Sequence, residues 1–358
     1  MIIKSVALNN FRNYETLSLE LGTNLNILYG DNAQGKTNVL EAIYVCGTTK
    51  SHKGSKDKEL IRLGCEDSHI RMIVSKEGID HKIDMHLKKS RSKGIAIDGV
   101  PIKRSVDIFG LVYIVFFSPE DLNMIKEGPG ERRRFLDMEL SQMNKLYLYH
   151  LTKYNKVLMQ RNNLLKQISH EPGLADTLDV WDRQLIDNGT VLINSREKFI
   201  NSINEIIEPI HSRLTGNTEK IKLIYEPNVT EKDFEVKVKK NRDRDIYQKM
   251  TLTGPHRDDI CFLINDIDIR KFGSQGQQRT AALSLKLSEI ELVKSNIKDN
   301  PILLLDDVLS ELDRKRQNYL MDSINDIQTI ITCTGLEELV EKKKDVSRIF
   351  HVVKGNIN

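Results

Sequence analysis

The sequence predicts an α/β fold with a compact helical lobe inserted into it, and three observations lead to this prediction. Short apolar and alternating segments, which are typical of strands, fill the first 120 residues. Apolar residues at helical spacing dominate the middle of the chain, from about residue 131 to residue 214. Strand and helix patterns then alternate towards the C-terminus, as expected of a sheet with helices packed against it.

The first part of the chain is predicted to form strands around one helix. Residues 2–8 and 17–21 alternate between apolar and polar side chains, and residues 25–29 form an apolar run that ends at Gly30. A helix is expected over residues 36–45. Further strands are expected at residues 70–75, 79–87, 94–97 and 111–117, the last of them fully buried and closed by Pro119.

The middle and last parts are predicted from the same periodicities. Helical spacing over 131–164 and 178–214 predicts a helical region of roughly a hundred residues. Later strands are expected at 221–225, 260–269, 302–305, 329–332 and 349–353, with helices over 276–293 and from 314. The patterns divide the chain into an α/β part (1–120), a helical insertion (121–251) and a second α/β part (252–358).

Composition excludes several classes of protein. The 358 residues carry 54 Lys and Arg against 51 Asp and Glu, so a net charge of +3 does not by itself indicate a nucleic-acid partner. The longest apolar run, 111–117, is far shorter than the roughly 20 residues of a membrane helix. The N-terminus lacks the apolar core of a signal peptide. Four cysteines without metal-ligand spacing indicate reduced thiols, so we expect a cytoplasmic protein without a membrane partner.

A phosphate-binding loop follows the third strand. Residues 30–37, Gly-Asp-Asn-Ala-Gln-Gly-Lys-Thr, match G-x-x-x-x-G-K-[ST] in the required position between a strand and a helix. Such loops wrap phosphates with backbone N–H groups, while the lysine reaches the β- and γ-phosphates and the hydroxyl ligates Mg²⁺. The sequence therefore predicts ATP and Mg²⁺ as cofactors. The expected nucleotide contacts here are Gly30, Asp31, Asn32, Ala33, Gln34, Gly35, Lys36, Thr37 and Asn38.

Two carboxylates end a buried strand far down the chain. Residues 302–307 read Ile-Leu-Leu-Leu-Asp-Asp. Asp306 is expected to hold Mg²⁺ together with Thr37. Asp307 is expected to lie beside the γ-phosphate and to polarise the attacking water. Asp307 and Lys36 are therefore the predicted catalytic residues.

A second candidate anion site opens the helix at residue 276. Ser274 and Gly276, in the segment Ser-Gln-Gly-Gln-Gln, offer a hydroxyl and an open backbone at a helix start. Taken alone, this segment is also typical of a simple helix cap. Ser-Glu-Leu-Asp follows the acidic strand directly and ends at Asp313.

The order of these motifs resembles the heads of ATP-binding-cassette ATPases, and most closely the RecF family of bacterial recombinational repair proteins. The resemblance runs the full length of the chain. It rests on residues 10–14, 30–37, 117–122, 130–137, 252–259, 274–278 and 304–313. It implies an ATPase head whose first lobe is built from 1–120 and 252–358, with the helical insertion as a second lobe.

The resemblance implies how such a chain works. Members of this family bind ATP at a homodimer interface, where Ser274 and Gly276 would contact the γ-phosphate held at Lys36 of the partner subunit. Gln277 and Asp313 belong to the same expected nucleotide site. The family closes on single-stranded, gapped or double-stranded DNA and reopens through weak, DNA-stimulated hydrolysis. Its members act with RecO and RecR to load the recombinase RecA, and take part in the SOS response.

Three departures from general cassette ATPases bear on catalytic power. Asp307 stands where transporters usually carry Glu, and Thr332-Cys333-Thr334 stands where a switch histidine is expected. Residues 117–122 replace the glutamine loop without a glutamine. These departures concern hydrolysis and not nucleotide binding, so the identity of the γ-phosphate sensor stays open.

Basic residues cluster in three places that are candidates for DNA contact. Residues 81–104 carry a net charge of +5 and residues 237–249 one of +4, while Arg132, Arg133 and Arg134 begin the helical insertion. Solvated charged surface is the alternative interpretation. Contacts to the DNA backbone with little base specificity are expected. For residues 253–259 we expect a role at an interface or in a contact between lobes. By family resemblance, Arg12 and Asn13 would lie near the base or ribose of the nucleotide, and a solvated loop is the alternative interpretation.

Two other functions remain open from the sequence. A transporter subunit would share the nucleotide motifs, but the long helical insertion and His-Arg-Asp-Asp at 256–259 argue against it. A nucleotide-sensing interaction protein without hydrolysis is the third hypothesis. A long coiled-coil arm is excluded, because only 244 positions separate Gly30 from Ser274.

Overall fold

The computed structural model describes residues 1–335 and 346–357. The strands are β1 Ile2–Phe11, β2 Tyr14–Glu20, β3 Leu25–Tyr29, β4 Asp67–Lys76, β5 Ile79–Lys88, β6 Gly94–Ile97, β7 Val100–Pro101, β8 Ile114–Phe117, β9 Ile221–Glu226, β10 Asp259–Ile264, β11 Ile267–Asp268, β12 Ile302–Asp306, β13 Thr329–Cys333, β14 Val346–Val353 and β15 Asn356–Ile357. The helices are α1 Lys36–Thr48, α2 Asp57–Leu60, α3 Pro119–Asn123, α4 Pro129–Met143, α5 Lys145–Ile168, α6 Leu178–Thr215, α7 Phe234–Lys240, α8 Arg242–Gln248, α9 Ile269–Phe272, α10 Gln275–Ile297 and α11 Arg314–Ser323.

The chain separates into two compact units. The first combines Met1–Asp121 with Glu289–Asn358, and the second is Leu122–Ser288. Residues 252–288, which the sequence analysis grouped with the second α/β part, make most of their contacts inside the second unit. The assignment of residues 1–120 and 252–358 to one lobe of an ATPase head, and of 121–251 to a second lobe, stays a prediction.

An antiparallel sheet forms one half of the first unit, in the order β2-β1-β4-β5-β6-β7. Side chains alternate between its two faces, and Val6 and Leu8 of β1 are buried. This is the half-buried alternation that the sequence predicts for strands of this kind.

A mostly parallel sheet forms the other half, in the order β15-β14-β3-β13-β12-β8. Its central strands β3, β12 and β13 are buried almost throughout, as continuous apolar runs indicate. Tyr29 is paired with Cys333, and Asp306 with Thr332. The carboxyl ends of three strands therefore meet at one edge of the sheet.

The second unit is mainly helical. Helices α5 and α6 pack side by side along their lengths, and α6 runs for 38 residues with Pro209 inside it. A small sheet, in the order β11-β10-β9, packs against α6. The α/β fold class with an inserted helical part is confirmed.

Three details differ from the sequence-based prediction. The strand expected at 260–269 is a hairpin of β10 and β11, because Asn265 and Asp266 turn the chain with positive φ values. The buried strand expected at 111–117 is only Ile114–Phe117, because the Leu111 N–H donates to Ile108 in a turn. The charged segment after β9 forms the short helices α7 and α8, since Phe234 and Val238 supply the apolar anchors. Cys46, Cys65, Cys261 and Cys333 are all free thiols, in agreement with the sequence.

Candidate functional site

The loop from Gly30 to Gly35 lies between β3 and α1, as the motif predicts. Gly30 has a φ of 147° and Gly35 one of 117°, a backbone conformation that side chains rarely adopt. A Cβ on Gly30 would lie 2.4 Å from the Val352 carbonyl oxygen. Glycine is therefore required at Gly30 by both conformation and space.

The N-terminus of α1 is open to an anion. Gly35 is its N-cap without a side-chain cap, and the first turn carries no acidic residue. The unpaired N–H groups and the positive end of the helix dipole favour a phosphate there.

Lys36 lies at the start of α1 with its ammonium turned into the loop. Its Nζ donates to the Gly30 carbonyl at 2.6 Å and to the Asp31 carbonyl at 2.8 Å. Burial lowers the pKa of Lys36, and the nearby charge of Asp307 is the strongest of the opposing influences. The ammonium is thus held by neutral carbonyl groups, so its charge is available to a phosphate.

The structure joins the two halves of the predicted Mg²⁺ site. The Thr37 hydroxyl donates to Asp306 Oδ1 at 2.8 Å, although 269 positions separate them in sequence. Burial raises the pKa of Asp306, and hydrogen bonds from Thr332 and Thr37 oppose this shift. A hydroxyl and a carboxylate are hard oxygen ligands, and Mg²⁺ typically takes one or two carboxylates together with substrate phosphates. The residues present therefore fit Mg²⁺.

Asp307 follows β12 in a left-handed conformation, with a φ of 51°. Its backbone N–H donates to the Thr332 hydroxyl at 2.9 Å. A non-glycine residue in this conformation is strained, and such strain concentrates at functional sites. The structure therefore places both predicted carboxylates in the same unit as Lys36 and Thr37.

The hairpin between β1 and β2 supports the loop. Asn13 donates to the Gln34 carbonyl at 3.0 Å and accepts from the Asn38 amide at 2.7 Å. Arg12 instead forms a two-point pair with buried Glu41, at 2.8 and 2.9 Å. Hydrogen bonds from Arg12 and Ser51 lower the pKa of Glu41 against its burial. Arg12 is therefore not part of a free solvated loop, which was one of its two interpretations.

A second support was not predicted. The turn between β14 and β15 donates Lys354 N–H to Gln34 Oε1 at 2.6 Å and Gly355 N–H to the Gln34 carbonyl at 3.1 Å. Gln34 is thus hydrogen-bonded both by Asn13, near the N-terminus, and by this turn, near the C-terminus. No local sequence pattern signals a contact over 320 positions.

The predicted signature loop lies in the second unit. Ser274 and Gln277 form a reciprocal cap at the start of α10: the Gln277 N–H donates to Ser274 Oγ at 3.2 Å, and the Ser274 N–H donates to Gln277 Oε1 at 3.0 Å. A Cβ on Gly276 would meet only the Ser274 hydroxyl, at 3.9 Å. In the first unit, Asp313 caps α11 by accepting from the Arg316 N–H at 3.0 Å.

The three basic clusters differ in exposure. Arg132 is buried and pairs with Asp259, while Arg133 donates to the Asp258 carbonyl at 2.8 Å. Arg132 is therefore structural, and the expectation that it offers charge to DNA is wrong, while the expectation for half-buried Arg133 stays a prediction. Most basic residues of 237–249 are exposed, and in 81–104 the exposed ones are Lys89, Arg91, Lys103 and Arg104.

Residues 253–259 are built into a polar core of the second unit. Asp258 is buried and accepts from Arg196 at 2.8 Å and from the Tyr225 hydroxyl. His256 accepts from the Tyr154 hydroxyl at 2.7 Å and faces the Thr251 carbonyl at 3.0 Å. Burial lowers the pKa of His256 to about 4, so the ring is neutral near pH 7.

Comparisons with known proteins identify the family. The family model described as "RecF/RecN/SMC N terminal domain" matches residues 2–358. A protein of Lachnoclostridium phytofermentans named DNA replication and repair protein RecF is 62% identical over 357 residues, covering 100% of this chain and 99% of that relative. The chain belongs to the RecF family. A RecF of Lachnospira eligens is 60% identical over 359 residues, with 100% and 99% of the two chains covered.

Solved structures agree with the RecF assignment. The recombination mediator protein RecF-ATP in the RecFOR pathway is 36% identical with a TM-score of 0.92, covering 99% of this chain and 96% of that one. An SmcHead bound to the C-winged helix domain of ScpA has a TM-score of 0.59 at 16% identity, with 100% and 96% covered, which supports the ATPase-head fold alone. RecF relatives are thus named for DNA replication and repair and have been solved with ATP. Among the residues that the structure describes, no helix is long and apolar enough to cross a membrane.

Proposed function

We propose that this chain is an ATP-dependent DNA-binding protein of DNA replication and recombinational repair, in which ATP drives homodimerisation and slow hydrolysis resets the dimer. The observation that carries the proposal is the meeting of Lys36, Thr37, Asp306 and Asp307 at one sheet edge of a RecF-family chain. The phosphate-binding loop alone would support nucleotide binding. The two carboxylates after β12 are what extend the proposal to hydrolysis.

Lys36 and the N-terminus of α1 are proposed to bind the phosphates of ATP. Lys36 exchanges its two carbonyl partners for phosphate oxygens, which are stronger acceptors because they are charged. The conformation of the loop is kept during this exchange by the hydrogen bonds that Gln34 makes with Asn13 and with the backbone of Lys354.

Thr37 and Asp306 are proposed to hold Mg²⁺. The Thr37 proton points at Asp306, so the lone pairs of its oxygen are left for a cation. The bound ion would neutralise charge that develops on the phosphates. Asp307 is proposed to orient and polarise the attacking water. Its side chain is one methylene shorter than the glutamate of transporters, which agrees with slow turnover.

The ATP site of a second copy of the chain is proposed to be completed by four residues of this copy, Ser274, Gly276, Gln277 and Asp313. The sequence contains one phosphate-binding loop and one signature segment, so two copies would form two composite sites. In this proposal the cap formed by Ser274 and Gln277 preorganises the helix start that meets the γ-phosphate.

The closed dimer is proposed to bind gapped, single-stranded and double-stranded DNA through its backbone. The exposed basic residues of 81–104 and 237–249 supply the charge. Weak DNA-stimulated hydrolysis then releases the DNA. By family resemblance, RecR and RecO are the protein partners, RecA is loaded as a result, and the protein serves the SOS response in the cytoplasm.

Sedimentation velocity tests this proposal directly. The protein is measured at micromolar concentration with and without ATP and Mg²⁺, and with and without gapped DNA. We expect a monomer that becomes a dimer with ATP and sediments with DNA in the ATP state. A monomer under all four conditions would contradict ATP-driven dimerisation.

A further inference from the structure

One buried hydroxyl contacts both acidic residues of the site, Asp306 through its carboxylate and Asp307 through its backbone N–H. Thr332 is the fourth residue of β13 and is paired with Asp306 across the sheet. It is 1% exposed. Its hydroxyl donates to Asp306 Oδ1 at 2.8 Å and accepts from the Asp307 N–H at 2.9 Å. A single side chain thus uses its donor on one acid and its acceptor on the next.

The contact to Asp307 fixes a backbone conformation that would otherwise be unfavourable. A φ of 51° is uncommon for residues other than glycine, although aspartate adopts it more readily than most. The Asp307 N–H points at β13 in this conformation, and a buried N–H without an acceptor is costly. Thr332 supplies that acceptor, so it stabilises the turn from which the Asp307 side chain extends.

The contact to Asp306 fixes the rotation of its carboxylate. Thr37 and Thr332 both donate to the same oxygen, Oδ1, each at 2.8 Å. In residues 1–335 and 346–357, the structure shows no hydrogen bond to Oδ2 of Asp306. The two hydroxyls therefore orient one carboxylate oxygen and leave the other for a cation.

We infer that Thr332 is a positioning residue for hydrolysis, which sets the geometry of Asp306 and Asp307 through one hydroxyl and has little part in nucleotide binding. This inference rests on the proposed catalytic role of Asp307. Thr332 belongs to the segment 332–334, which stands where a switch histidine is expected.

Two substitutions separate the hydroxyl from the shape of the side chain. Thr332→Val removes the hydroxyl at nearly constant volume, and Thr332→Ser keeps the hydroxyl while removing a methyl group. Steady-state phosphate release gives kcat and KM, and a fluorescent ATP analogue gives Kd. We expect Thr332→Val to lower kcat roughly tenfold to a hundredfold with Kd within about twofold, and Thr332→Ser to stay within about threefold of wild type.

The outcomes distinguish the two proposals. A wild-type protein without turnover would overturn the proposed hydrolysis and this inference with it. An active wild type matched by Thr332→Val would overturn the inference alone. Equal loss of kcat in both variants, or a parallel loss of ATP affinity, would show that Thr332 acts only through packing. If Thr332→Val does not fold, as judged by its melting temperature, Thr332→Ala removes the same hydroxyl without a second methyl and takes its place.

Discussion

Two clusters of buried charge, one in each unit, are held in opposite ways. In the second unit Arg161 is fully buried and donates to Asp182 and to Asp245, each at 2.7 Å. In the first unit Lys36 donates to two neutral carbonyls, and Asp306 accepts from two neutral hydroxyls. The charge of Arg161 is thus neutralised by carboxylates of the protein, whereas the hydrogen-bond partners of Lys36 and Asp306 are neutral.

This difference separates structural charge from functional charge. A buried ion that is already matched by opposite charge has little to offer a ligand, and breaking the pair is costly. A buried ion whose hydrogen-bond partners are neutral can still attract a ligand of opposite charge. The ligand can replace those partners without leaving another ion unpaired. By this criterion Arg161 and Arg196 are part of the core, whereas Lys36 and Asp306 belong to the site.

The largest effect is expected for Asp307→Asn. The substitution removes the negative charge that polarises water and keeps the size of the side chain. We expect ATP turnover to fall roughly a hundredfold or more. The ATP-bound dimer should persist, because binding rests on Lys36 and α1. Asp322→Asn, an exposed acid on α11, is the control and should leave turnover unchanged. Wild-type turnover by Asp307→Asn in phosphate-release assays would show that Asp307 is only a turn residue.

Arg161→Met tests the structural side of the comparison. It leaves Asp245 buried without its cationic partner and removes one of the two arginines paired with Asp182, which keeps Arg242. We expect this to cost about 3–5 kcal/mol in the free energy of unfolding. Urea unfolding measures this loss. The control, Lys239→Met, breaks an exposed pair with Glu235, and its free energy of unfolding should stay close to that of the wild type. Similar losses in both variants would contradict the structural role of Arg161.

A smaller effect is expected from His256 on acid stability. Burial lowers its pKa from an ordinary 6.5 to about 4, so the unfolded chain binds a proton in this window that the folded unit does not. This contribution to stability is complete above pH 6.5 and is lost as the pH falls towards 4. His256→Gln keeps one donor and one acceptor but does not titrate. Its melting temperature should depend less steeply on pH between 6.5 and 4, and an unchanged slope would contradict the assignment.

The core of the site was predictable because its signals are local. The loop before α1 has its motif within eight residues, and Asp306 and Asp307 end an apolar run. The parallel order of β3, β13 and β12 then brings them to one edge. The helical insertion was predictable for the same reason, since its periodicity extends over many turns.

The supports of the site were not predictable, because they depend on contacts between distant segments. Gln34 meets Lys354, and Thr332 meets Asp306 from a neighbouring strand, but neither pair has a spacing that sequence alone reveals. The interpretation of Arg132 failed for a related reason. A run of three arginines at a helix start looks like exposed charge until Asp259 of β10 is placed beside it.

The composite site is tested most directly by mixing two inactive variants. Lys36→Met damages the phosphate-binding loop, and Ser274→Arg damages the signature loop. A mixed dimer then contains one fully damaged site and one intact site. We expect each variant alone to lack turnover, and an equimolar mixture to recover up to about a quarter of the wild-type rate, since about half of the dimers would carry one intact site of two. A mixture no more active than its separate components would contradict a site shared between two copies.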